Sequence, residues 1–375
     1  MAGIYIHIPF CKQKCSYCNF HFSTNLSLKS EMVDAICAEI ILRKDEFQFS
    51  SIETIYFGGG TPSLLKDNEL QKIFEVIFSN FKVDKEAEIT IETNPEDITN
   101  EKLILFKKLH INRLSIGVQS FFDEDLVLMN RIHSAKQSDF GIKLSQDFGF
   151  ENITLDLIYG STTTTSQMWK SNLEKIIELQ IPHFSSYALT VEPKTALEHQ
   201  IKTKKIAAIN EDIQWKQFTD LQQFAKDNNF IQYEISNFGK VNYFSKHNLS
   251  YWQGKAYLGI GPSAHSFDGK SKRIINIASN VKYIKALLKN ELYFEEENLS
   301  ENERYNEMIM IGLRTIFGVD LKILSDNFSK IILENFEKES VKLIENGKLK
   351  IENGKLLIPE KFYFQADGIA SDLFM

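Results

Sequence analysis

Three of the four cysteines in this chain fall within eight residues, as Cys11-x3-Cys15-x2-Cys18. Thiolates on one short loop can each reach a different iron of a cubane iron–sulfur cluster. Three thiolates for four irons leave one iron without a protein ligand, and an open metal position can take a substrate or cofactor. The competing reading is a structural zinc completed by a remote ligand, Cys37 or a histidine. Zinc sites favour CxxC pairs repeated at a distance. Cys37 shares an apolar helical face with Val33, Ile36 and Ile40, which suits a core residue. The spacing therefore favours the cluster. Cysteines clustered in this way do not make a disulfide framework and point to a reducing, cytoplasmic compartment.

Other residues carry chemistry at the ends of apolar runs. Gly58-Gly59-Gly60 would let backbone approach a ligand closely. Glu92 is a carboxylate suited to ribose hydroxyls or to a cationic ligand. Gln119 closes a further run. Asp156 lies inside one and should be buried, so it needs a partner. Arg131 is a candidate for that partner or for a bidentate carboxylate clamp. Asn94-Pro95 reads as a turn.

The elements that must position these groups follow from hydrophobic periodicity. Short apolar runs at 4–8, 54–57, 88–92, 114–118, 153–159 and 184–191 read as strands. Amphipathic stretches at 30–46, 67–81, 101–110 and 167–180 read as helices, with Asp67 as an N-cap and Leu70, Ile73, Phe74 and Ile77 as its stripe. Six strand–helix units imply an α/β fold whose parallel sheet has helices on one outer face, either a partial barrel or a doubly wound sheet. Chemistry is expected at the C-terminal strand ends. A helix over 211–228 precedes a Gly- and aromatic-rich region, 230–266. Helices are then predicted over 301–316, 321–325 and 333–345. The runs 348–351 and 355–358 flank Asn353-Gly354, a strong hairpin signal. Helices followed by a hairpin suggest a winged-helix-like module. The expected division is 1–230, 231–295 and 296–375.

Composition excludes several classes. A net charge of -7 argues against a nucleic-acid surface, and residues 296–375 carry 15 acidic and 10 basic side chains, so the terminal module should not bind DNA. No run has the roughly 18–20 apolar residues of a membrane span, and the N-terminus lacks the pattern of a signal peptide. Any membrane contact is expected to be peripheral.

The stretch from Tyr5 through Cys18 resembles the radical S-adenosylmethionine (SAM) signature of oxygen-independent coproporphyrinogen III oxidases and related HemW-type heme chaperones. The resemblance continues through 58–63, 92–95, 112–121, 156–160, 187–195, 233–238, 247–252, 259–267 and 306–314. It implies a radical SAM partial (β/α)6 barrel with a HemN-like C-terminal domain. It also implies a [4Fe–4S] cluster on Cys11, Cys15 and Cys18 whose open iron is chelated by SAM. One electron, from a donor protein, then splits the sulfonium into methionine and a 5′-deoxyadenosyl radical. By the same resemblance Tyr5, Gly59, Gly60, Thr61 and Glu92 contact SAM. Tyr17, Gln119, Arg131 and Asp156, with Gly60 and Thr61, line a second SAM or substrate position.

The family offers an enzyme, which decarboxylates coproporphyrinogen III propionates, and a carrier, which delivers heme to apoproteins such as respiratory cytochromes. Three features favour the carrier. Phe20 stands where the oxidases generally show a further cysteine. Cys11 lies too near Met1 for their N-terminal extension. His247-Asn248-x2-Tyr251-Trp252 resembles the HNxxYW motif associated with heme binding. Histidine and tyrosine both serve as axial heme ligands, and tryptophan offers a flat apolar surface. The other reading of His247 is a hydrogen-bonded core histidine, with Tyr251 and Trp252 as packing. His265 is a second candidate ligand. The family's usual Leu-Pro after 156–160 is replaced by Ser161 and four threonines, which predicts an altered loop beside the second SAM position. A radical SAM enzyme acting on another tetrapyrrole is a third reading that no residue requires.

Overall fold

A computed structural model describes residues 2–47 and 49–375. Its strands are β1 (Gly3–Ile8), β2 (Ile52–Gly59), β3 (Val83–Thr93), β4 (Arg113–Gln119), β5 (Asn152–Tyr159) and β6 (His183–Ala188). Helices α1 (Lys29–Arg43), α2 (Asp67–Asn80), α3 (Asn100–Lys108), α4 (Asp123–Leu128), α5 (Ala135–Asp147) and α6 (Ser166–Glu178) connect them. These six strands lie side by side in chain order, all parallel. Right-handed crossovers between sequential parallel strands place every helix on the same face. The order never reverses, which rules out the doubly wound alternative and leaves the singly wound, partial-barrel arrangement.

Strand parity divides the side chains between the two faces. Ile4, Ile6 and Ile8, Ile55 and Phe57, Ile89 and Ile91, Leu114, Ile116 and Val118, and Ile153, Leu155 and Leu157 alternate along the strands and are buried in the core. The residues between them are Tyr5 and His7, Tyr56, Glu88 and Glu92, Arg113 and Ser115, Thr154 and Asp156. They share the other face, where the polar groups collect.

Helix ends follow local rules, with one correction. Thr99, Thr165 and Ser300 cap their helices through side-chain oxygens. Asp67 is the first helical residue, not the N-cap; that position is Lys66, whose N–H is held by Glu69 Oε2 at 2.7 Å. The sixth strand stops at Ala188, earlier than its apolar run, with one last bond to β5 from the Leu189 N–H to the Tyr159 carbonyl at 2.8 Å.

After α7 (Ala196–Lys202) and α8 (Glu211–Asp227), the chain serves both edges of the sheet. β7 (Ile231–Gln232) and β8 (Asn237–Gly239) extend it beyond β6. Helix α9 (Lys246–Trp252) then leads to β9 (Tyr257–Ile260), which pairs in parallel with β1. β10 (His265–Phe267), β11 (Lys272–Asn276) and β12 (Phe294–Asn298) complete that edge, giving twelve strands. The edge is stapled to α1 by a buried carboxylate. Glu39 accepts from Arg43 Nη1 (2.8 Å), Gly261 N (2.8 Å), Asn276 Nδ2 (2.7 Å) and the Tyr283 hydroxyl.

Helix α10 (Asn280–Leu287) connects β11 to β12, and the terminal module begins after β12 with α11 (Glu301–Leu313). Helices Leu321–Asn327 and Lys330–Glu345 follow. The hairpin forms as expected, Lys350–Glu352 against Lys355–Leu357, with Asn353 and Gly354 both at positive φ. Among the described residues no helix is long and apolar enough to cross a membrane.

Candidate functional site

The cysteine loop leaves the C-terminal end of β1 and is pinned at both ends. Ser23 N–H donates to the Pro9 carbonyl (2.9 Å), and Cys11 N–H to the Ser23 carbonyl (3.1 Å). In its middle, Ser16 N–H donates to the Met129 carbonyl (3.0 Å), and Asn130 Nδ2 to the Lys14 carbonyl (2.7 Å). Lys12 pairs with Asp97. The loop is thus tied to the segment after α4.

Cys11, Cys15 and Cys18 are free thiols on one wall of a cavity of about 430 Å³, within the range of about 300–1,000 Å³ usual for small-molecule sites. Among the described residues, no group of three or more His, Cys, Asp or Glu converges on a single metal ion. Cys37 is buried in the core on α1. Cys37 is therefore not in the cavity as the remote ligand of the zinc reading, and three thiols on one wall fit a polynuclear cluster, whose corners take sulfurs separately. Thr61 Oγ1 lies 3.5 Å from Cys11 Sγ and Arg131 Nη1 lies 3.4 Å from Cys15 Sγ, so two of the three sulfurs meet a side-chain donor suited to a thiolate. Burial pushes the Cys11 thiol up to about 11, a cost that metal ligation removes by deprotonating the ligand outright.

The same cavity is lined by Tyr17, Gly59, Gly60, Thr61, Glu92, Gln119, Arg131 and Asp156. Eight of the nine residues expected in the two SAM or substrate positions therefore meet there. Tyr5 does not line it. Tyr5 stacks with Tyr56 and His247 (centroids 6.1 and 6.4 Å), and its hydroxyl is 3.3 Å from His7 Nδ1.

The triple glycine serves the scaffold as much as a ligand. A Cβ on Gly60 would stand 2.5 Å from the Phe10 carbonyl, and one on Gly59, at φ 102°, would meet the His7 ring at 2.6 Å. The glycines let the end of β2 close onto the start of the cysteine loop.

Three carboxylates line the cavity: Glu92, Asp156 and Glu192, the last accepting from Asn19 Nδ2 at 2.9 Å. Glu92 Oε1 accepts from the Tyr56 hydroxyl at 2.9 Å. Burial, then the nearby Asp156, pushes Glu92 up to about 7. Burial likewise pushes Asp156 up to about 6. Arg131 is not the direct partner of Asp156: that carboxylate accepts from Ser115 Oγ at 3.3 Å. Arg131 instead donates from Nη2 to Asn94 Oδ1 (2.6 Å) and to the Gly117 carbonyl (2.7 Å). Asn94, read as a turn residue, is thus the second arm of a clamp that aims Arg131 at Cys15. Its position two residues beyond Glu92 at a strand end was the available signal. Gln119 has φ 67°, a strained value for a non-glycine residue at a cavity wall.

The threonine loop has a partner the sequence did not reveal. Thr163 and Thr164 hydroxyls both donate to the fully buried Asp125 (2.5 and 2.8 Å). None of residues 161–165 lines the cysteine cavity.

The HNxxYW residues lie elsewhere. Thr54 sits early in β2 and is paired in register with Glu88 of β3, and α9 packs over that end of β2. Its first amides, Lys246 and His247, donate to Glu88 (3.1 and 3.0 Å). His247 is 1% exposed. Nδ1 is 2.8 Å from Thr54 Oγ1 and Nε2 is 2.8 Å from the Tyr251 hydroxyl, so neither ring nitrogen is free to bind a metal. Burial, and then Arg113, lowers it to about 3, so it is neutral at any working pH. Trp252 is half-buried with the Arg314 guanidinium 5.3 Å from its ring centre. His265 is exposed, and none of the described residues hydrogen-bonds its ring. It lines a small cleft of about 240 Å³ with Tyr5, His7 and His21.

The Radical SAM superfamily model matches residues 5–190, and the HemN C-terminal domain model matches 299–361. The heme chaperone HemW of Bacillus subtilis is 30% identical over 96% of this chain and 98% of its own. The chain belongs to the HemW family of radical SAM proteins. The heme chaperone HemW of Lactococcus lactis is 32% identical over 92% of this chain and 89% of its own. Among solved structures, the coproporphyrinogen III oxidase HemN of Escherichia coli superposes with a TM-score of 0.86. That match covers 100% of this chain and 90% of the oxidase at 21% identity, and it establishes the radical SAM fold. Membership implies a [4Fe–4S] cluster and SAM. The cavity fits both, with three thiols at one wall and carboxylates, amide and guanidinium around the remainder.

Proposed function

We propose that this protein is a heme chaperone, which binds heme and hands it to heme-requiring apoproteins such as respiratory cytochromes. One observation carries the reading: similarity along nearly the whole chain to a Bacillus subtilis protein named heme chaperone HemW. In this reading Cys11, Cys15 and Cys18 hold the cluster, with Arg131 and Thr61 offsetting the charge of the sulfurs. Gly59, Gly60, Thr61 and Glu92 hold SAM, which supplies redox or regulatory chemistry when bound. Tyr5 buttresses that wall through Tyr56. Tyr17, Gln119, Arg131 and Asp156 shape the rest of the cavity, where a second SAM or a substrate would sit. Residues 1–230 form the barrel, 231–295 carry the HNxxYW motif and 296–375 form the terminal module. The protein works in the cytoplasm with an electron donor for its cluster, and contact with a membrane-bound recipient is peripheral.

The second reading is coproporphyrinogen III oxidation, which the shared fold allows. Exposed Phe20 at the cavity rim, where the oxidases carry another cysteine, weighs against it. One anaerobic preparation separates the two. Heme titration followed by absorbance should show stoichiometric uptake, and coproporphyrinogen III should be recovered unchanged by mass. Turnover without stoichiometric heme uptake would overturn the proposal.

A further inference from the structure

A groove of about 1020 Å³ away from the cysteines runs between the C-terminal end of α9, the β10–β11 hairpin and the terminal module. Its walls are flat or soft. Trp252 comes from α9, and Phe317 follows α11 and is 40% exposed. Met308 and Met310 come from α11. Thioethers repack around a guest and can also ligate heme iron.

The rim is cationic. Five basic and two acidic side chains line the groove. Both acids are already neutralised: Glu307 pairs with Arg273 at 2.7 Å and Asp320 with Lys355 at 2.9 Å. Among the described residues, Arg304 and Lys270 pair with no carboxylate. Arg304 lies over the Phe328 ring at 5.8 Å. An apolar slot with two uncommitted cations at its mouth matches a flat macrocycle bearing two carboxylates. The small cleft at His265 holds about 240 Å³ and could take only an edge of such a ligand.

Resting on the heme-chaperone reading, we infer that heme docks in this groove, propionates toward Arg304 and Lys270, against Trp252 and Met308. His247 then acts beneath the site, holding Tyr251, whose ring lines the groove. The groove opens between the sheet edge and the terminal module, so movement of that module would release the ligand without unfolding the barrel.

The test is titration of the full-length, cluster-loaded protein with hemin and with hemin dimethyl ester, followed by Soret absorbance. Replacing both cations with acids (R304E with K270E) should raise the hemin Kd at least about tenfold, since two charge-assisted contacts become repulsive. It should leave ester binding nearly unchanged. The milder R304Q with K270Q pair should fall between, and thermal unfolding of each variant checks folding. Hemin binding that is unchanged in both pairs but lost in His265→Ala would move the site to the small cleft and overturn this inference, leaving the chaperone reading intact. A wild-type protein that takes up no hemin would overturn both.

Discussion

Glu92 offers a test of the cavity that needs no turnover. Its carboxyl is pushed up to about 7 by burial and by Asp156, so at neutral pH roughly half the molecules present an acid where the proposed SAM contact calls for an acceptor. If only the carboxylate form binds well, the apparent Kd scales with the inverse of the ionised fraction. That fraction changes about tenfold between pH 8 and pH 6, equivalent to about 1.4 kcal/mol. SAM titrates too, so the informative quantity is the ratio of Kd values for Glu92→Gln and wild type at each pH. The ratio should be largest at pH 8 and fall about tenfold by pH 6 as wild type comes to resemble the neutral variant. Calorimetry on cluster-loaded protein under nitrogen measures it. A ratio that is flat across this range would refute the assignment of Glu92 to the SAM site or its raised affinity for protons.

The same carboxyl predicts a stability effect of defined sign. Its folded value lies above the ordinary 4.5, so the folded state holds the proton longer and wild type loses stability as pH rises from about 4.5 to 7. Glu92→Gln should therefore have the higher urea midpoint at pH 8 and no advantage at pH 4.5. Cys15→Ser should abolish the iron–sulfur absorption and lower iron and sulfide content after anaerobic reconstitution, whereas Cys37→Ser should retain both. Glu39→Ala should cost about 3–5 kcal/mol in urea unfolding, because the Gly261 amide and Tyr283 hydroxyl lose their acceptor and Arg43 loses one of its two carboxylates. A loss below about 1 kcal/mol would show that Glu39 does not staple the sheet edge to α1.

Much of this was legible in the sequence because it is local. The six parallel strands, four of their six helices and the Asn353-Gly354 hairpin announce themselves through periodicity or turn chemistry over a few residues, whereas α4 and α5 are absent from the predicted helices. Cys11, Cys15 and Cys18 lie on one loop, so their convergence needs no long-range information. The partners of single polar residues were not legible. Asp156 turns to Ser115, Arg131 to Asn94, and the threonines of 163–164 to Asp125. These pairs lie on different elements: sheet register aligns Asp156 with Ser115, and the packing of loops and α4 at the strand ends brings the others together. The direction of Tyr5 also escaped, although strand parity puts it with His7 on the polar face. The division of 231–298 between the two sheet edges left no trace, since strands as short as Ile231–Gln232 show no alternation.

The pairing of β1 with β9 has a consequence for biogenesis. The cysteine loop hangs from a strand whose flank beyond β2 is covered only by residues 257–260. A ribosome delivers β1 first and β9 some 250 residues later, so the nascent barrel stays unseamed on the side that carries the cysteines. Such distant pairing is slow to form. Until β9 arrives, β1, which carries the cysteine loop, is an edge strand of the growing sheet.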